Sequence, residues 1–90
     1  MKFYKVGNPP LMALVCAKSK KDCVKICKAE DAMTANLPKI TSSNCHEIYF
    51  GQMLRETSEI QDETHQSIGL SKASDLIFAS VLKKRPHYFY

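Results

Sequence analysis

Ninety residues with 44% hydrophobic and 24% charged side chains make one domain around one core, which excludes a wholly disordered chain and a cleft between two lobes. The formal charge of +4 is modest, so the chain lacks the strong basic excess of a dedicated polyanion binder. The charge is unevenly spread: Lys18 to Lys28 holds five lysines against Asp22, whereas Arg55 to His65 sets one arginine against Glu56, Glu59, Asp62 and Glu63.

Lys2 to Val6 alternates basic and apolar residues, Gly7-Asn8-Pro9-Pro10 breaks the chain, and Leu11 to Ala17 is a continuous apolar run. The pattern predicts two antiparallel strands joined by a turn. That run is far short of the roughly 20 residues that cross a bilayer, so no membrane span is expected. Lys5 stands where a signal peptide would have its hydrophobic centre, and the expected location is cytoplasmic. In that setting Cys16, Cys23, Cys27 and Cys45 are read as reduced, buried thiols.

Ser19-Lys20-Lys21-Asp22 has the form of a helix cap with an acid three residues on, and predicts a helix from Lys20 to about Ala32. Cys23, Val24, Ile26 and Cys27 share one arc of it, and Lys21, Lys25 and Lys28 line the other. Asn36 to Ser43 is a connector containing Pro38. For Cys45 to Leu54 two readings compete: a helix capped by Asn44 with Glu47, and a strand, favoured because Tyr49 and Phe50 suit a pleated surface and Gly51 weakens a helix. Thr57 to Ser67 is polar and reads as an exposed loop or a short solvated helix. Ser71 is expected to cap a last helix from Lys72 to Lys84, ended by Pro86, with His87 to Tyr90 as a short edge strand. The expected fold is α+β, a small antiparallel sheet packed against two principal helices.

The last helix is apolar on more than one side. Ala73, Leu76, Ile77, Ser80 and Val81 make its core face, while Phe78 and Leu82 form a second stripe that is expected to meet a second copy of the chain or a target, unless the terminal segment folds over Phe78. The other candidate contacts are Lys21, Lys25 and Lys28 on the first helix and Lys83, Lys84 and Arg85 at the end of the last. With the aromatic residues of the tail these cations also suit weak contact with nucleic acid.

Catalytic and metal chemistry find little support. Cys23, Cys27, Cys45 and His46 are the strongest ligand set, but a C-x₃-C inside a regular helix is not the turn-borne pair that wraps zinc. His46, His65 and His87 stand near no nucleophile signature, and Gly7, Gly51 and Gly69 are too scattered for a phosphate loop. Glu59, Asp62 and Glu63 read as a solvated face. No enzyme, cofactor or metal is expected.

The opening Lys2-Phe3-Tyr4-Lys5-Val6, Leu11 to Ala17 and Lys18-Ser19-Lys20-Lys21-Asp22 resembles the strand, strand, helix start of small phage and mobile-element proteins, anti-CRISPR proteins among them. The resemblance covers the first third of the chain and implies a compact inhibitor that occupies a surface of a host protein or nucleoprotein. A small basic nucleic-acid-binding accessory protein is the alternative.

Overall fold

Residues 1–8, 11–30, 34, 39–61, 64–83 and 85–86 are described by the computed structural model. Strand β1 (Lys2–Asn8) pairs antiparallel with β2 (Leu11–Ala17) from Lys2 opposite Ala17 to Asn8 opposite Leu11. On its other side β1 pairs antiparallel with β3 (Cys45–Ile48), Val6 opposite Cys45 and Phe3 opposite Ile48, which gives the order β2-β1-β3. The α+β expectation, with an antiparallel sheet, holds.

Alternation along the strands sends successive side chains to opposite faces. Tyr4, Val6, Ala13, Val15, Ala17 and Cys45 face α1 (Lys20–Lys28) and pack with Cys23, Ile26, Cys27 and Ile40. Phe3, Leu14, Cys16 and Ile48 face the other way, against Met53 and Leu54 of α2 (Phe50–Ser58) and Ile77 and Val81 of α3 (Gly69–Lys83). The sheet is thus the middle of three layers, α1 on one face and the α2–α3 pair on the other. A strand covered on both faces has no polar side to present, which is why β2 reads as an unbroken apolar run; Met12 to Ala17 are all buried.

Local chemistry sets the element ends. The Ser19 hydroxyl accepts a bond from the Asp22 amide at 3.2 Å, and the Asp22 carboxylate accepts one from the Lys18 amide at 3.3 Å, so the predicted cap forms. The helix stops at Lys28 rather than Ala32, with the Ala29 amide donating to the Lys25 carbonyl. Thr41 to Asn44 make a polar turn at the end of the connector, closed by the Thr41 amide on the Asn44 side chain at 2.9 Å. That bond occupies the side chain that would have capped a helix beginning at Cys45.

Three expectations need correction. Cys45 to Leu54 is neither all strand nor all helix: β3 ends at Ile48 and α2 starts at Phe50. Thr57 belongs to α2 and is fully buried, its hydroxyl donating to the Met53 carbonyl at 2.7 Å, which satisfies a polar group that burial would otherwise leave unpaired. The last helix begins at Gly69, so Ser71 lies inside it and is no cap. Gly69 has φ +84, a backbone conformation open to glycine at little steric cost. Between α2 and α3 the Ile68 amide donates to the Ile60 carbonyl at 2.9 Å and Gln61 pairs with Ser67. The expected His87 to Tyr90 strand lies outside the described residues.

Candidate interaction surfaces

Helix α3 buries Ala73, Ile77 and Ser80, which fall within one narrow arc. At 100° per residue Phe78 and Leu82 lie more than about 120° round from the middle of that arc. They are 67% and 83% exposed. Exposed Ser71 and Asp75 share the outer side. The stripe read from the sequence is therefore an outward-facing one, and no described residue covers Phe78; the tail expected as its alternative cover lies outside the described residues. Large apolar side chains grouped in water are uncommon on isolated domains.

The end of α3 divides the three terminal cations. Lys83 is exposed, Lys84 lies outside the described residues, and Arg85 is drawn back to Glu30 at 3.2 Å. With Leu76, Ala79, Ser80 and Pro86, Lys83 and Arg85 line a hollow of about 140 Å³.

On the far side of the sheet Lys21, Lys25 and Lys28 are exposed along α1, flanked by exposed Lys18 and Lys20. Asp22, the acid of this helix, is engaged in the cap, and none of these lysines enters an ion pair among the described residues. The acids of the Arg55 to His65 stretch differ in role. Glu56 takes Lys5 at 2.7 Å between α2 and the sheet, leaving its second carboxylate oxygen buried and without a partner among the described residues. Glu59 is exposed, and Asp62 and Glu63 lie outside the described residues.

Of the four candidate metal ligands, Cys23, Cys27 and Cys45 are brought together and His46 is not. Cys45 points to the α1 face, but His46, the next residue on a strand, lies opposite Lys5 on the other face and is exposed. Among the described residues no group of three or more His, Cys, Asp or Glu is arranged to hold a metal ion. Cys23, Cys27 and Cys45 instead meet as buried thiols in the core. Hydrogen bonding between Cys23 and Cys27, reinforced by burial, pushes the Cys23 thiol up, while the same bond holds Cys27 down. Burial also pushes Cys45 up, and raises Cys16, on the opposite sheet face, to about 11. Cys16, Cys23 and Cys45, held protonated and out of water, are poor nucleophiles, and Cys27 is kept from water by its burial. His46 and His65 are exposed, whereas every cysteine is buried; His87 lies outside the described residues.

Sequence reasoning missed other exposed apolar groups. Tyr49 is 88% exposed and Phe50 half exposed, where β3 turns into α2; placing both inside a strand hid their position at a corner. Phe50 packs its ring against Phe3 at 5.3 Å. Leu70 is exposed at the start of α3.

No helix among the described residues is long and apolar enough to cross a membrane. No protein-family model, curated protein or solved structure matches the chain.

Proposed function

We propose that the chain is a non-catalytic binding protein, an inhibitor of the kind encoded by phages and mobile elements, which occupies a surface of a host protein or nucleoprotein in the cytoplasm. The observation that carries this reading is the outer stripe of α3: Phe78 and Leu82 stand in water on a helix whose opposite side already fills the core. Such side chains gain free energy only when something covers them, at roughly 25 cal/mol per Å² of apolar surface removed from water. The lysines of α1 add a second surface on the opposite layer, suited to acidic groups on a target.

Affinity capture from the native host, followed by mass spectrometry, tests the reading. The wild-type chain retains a defined macromolecular partner, and Phe78→Asp with Leu82→Asp, or reversal of Lys21, Lys25 and Lys28, loses it. Capture unaffected by either set contradicts the proposal. A second reading, a nucleic-acid-binding accessory protein, draws on the same α1 lysines, whose exposed ammonium groups suit phosphates. Nucleic acid recovered in place of protein would favour it.

A further inference from the structure

We infer that the outer face of α1 is a contact for the phosphate backbone of nucleic acid, made by Lys21, Lys25 and Lys28 and indifferent to base sequence. The inference rests on the reading of α1 as a second binding surface and names what that surface meets, the nucleic acid of a nucleoprotein target. At 100° per residue the three lysines fall within about 60° of one another, directly opposite the arc of Cys23, Ile26 and Cys27 that α1 buries. From Lys21 to Lys28 the row is about 10 Å long at 1.5 Å per residue. All three are exposed, as are Lys18 and Lys20 at the start of the helix.

The row keeps its charge. Of the described acids nearest to it along the chain, Asp22 turns its carboxylate to the Lys18 amide and Glu30 holds Arg85. Neither is left to offset the lysines, and among the described residues no other acid pairs with them.

What else stands on this face selects the partner. The large apolar side chains exposed among the described residues all lie on other parts of the chain, and α1 contains no arginine. The face thus lacks the aromatic, aliphatic and arginine anchors that carry protein interfaces, from which lysine is depleted. Its apolar arc is used up in the core, so the helix keeps nothing to sink into a bilayer. A row of point charges on flexible stems remains, and such charges need no fixed partner geometry. Duplex nucleic acid offers one charge per about 1.7 Å of its axis, so about six phosphates pass the length of the row and each lysine finds one at any register. With no aromatic side chain between Lys20 and Lys28, α1 has nothing to stack on an unpaired base. A duplex, with its denser charge, is therefore bound at least as tightly as a single strand.

Fluorescence anisotropy of labelled DNA duplexes of unrelated sequence, titrated with the intact chain at several salt concentrations, tests this. Three neutralised phosphates predict a logarithmic salt slope of about −2.7, so that affinity falls about 200-fold between about 20 mM and about 150 mM salt. Lys21→Gln, Lys25→Gln and Lys28→Gln are each expected to bring the slope about 0.9 nearer to zero, equally on every duplex. Arg55→Gln with Lys72→Gln, which removes two exposed cations from the opposite layer, is expected to leave the slope unchanged. A slope that the three α1 substitutions together do not alter overturns the inference, as do an equal loss in the control pair and tighter binding to a single strand. If the triple α1 variant loses a host partner yet binds duplex as the wild type does, the phosphate contact fails while α1 stands as a surface for an acidic protein.

Discussion

Ile77 and Phe78 are neighbours in the chain, yet truncating them is expected to have very different consequences. Ile77 is 4% exposed and packs with Leu14, Cys16 and Met53. Ile77→Ala removes buried methyl and methylene groups and leaves a cavity, a change that costs about 2–5 kcal/mol. For a domain of this size 1 kcal/mol moves the melting midpoint by about 4–8 °C, so the midpoint is expected to fall by roughly 8–40 °C. Phe78 is 67% exposed, which leaves about a third of the residue out of water. Full burial of such a side chain is worth about 1.5–3 kcal/mol. A third of that is at most about 1 kcal/mol, partly offset by the better helix propensity of alanine. Phe78→Ala is therefore expected to lower the midpoint by less than about 8 °C. Thermal unfolding followed by circular dichroism at low micromolar concentration keeps self-association out of the comparison. Equal losses in the two variants would refute the assignment, because Phe78 would then be core and the outer stripe of α3 would not exist.

The thiols are expected to label slowly until denaturant is added, and elemental analysis is expected to find well below one zinc per chain; a tightly held stoichiometric zinc would contradict the buried-thiol arrangement. Cys16 titrates near 11 in the folded chain against 9.0 for an ordinary thiol, so above pH 9 the unfolded chain releases this proton first. Its contribution to stability is complete below pH 9 and lost as pH rises toward about 11, with Tyr4, also pushed up by burial, acting in the same sense. Cys16→Val is expected to flatten that alkaline fall, and an unaltered pH profile would count against the assignment. Nucleic acid binding is expected to be weak, in about the 10⁻⁴ to 10⁻⁶ M range at physiological salt, with a logarithmic salt slope no steeper than about −3 if Lys21, Lys25 and Lys28 each meet a phosphate; nanomolar affinity would favour the nucleic-acid reading.

What the sequence revealed and what it concealed follow from the range over which each signal acts. The Ser19 cap and the division of α1 into a thiol arc and a lysine arc are local, decided within one or two turns, and both appear where the spacing places them. The stripe of α3 was legible for the same reason, since its angle from the core face is set by helix geometry alone. Residues 45 to 57 were misread because their local preferences conflict. Tyr49 and Phe50 favour a strand by type, yet Phe50, Met53 and Thr57 recur at helical spacing, and a polar-looking threonine forms part of the inner face. The start of α3 was misplaced because a serine is a strong cap signal, whereas Gly69 acts through a backbone angle that its letter only permits. The Lys5–Glu56 pair, joining β1 to α2, left no trace in the sequence, because nothing local ties residues so far apart along the chain.

The most direct test of the account is a hydroxyl-radical footprint of Phe78 and Leu82, measured for the dilute isolated chain and again for the assembly recovered from native host extract. Binding through the outer face of α3 predicts high reactivity at both residues in the dilute chain and strong protection in the assembly, while exposed Tyr49 serves as an internal reference. Equal reactivity of Phe78 and Leu82 in the two states would contradict the account, since no partner and no second copy would then be covering the stripe.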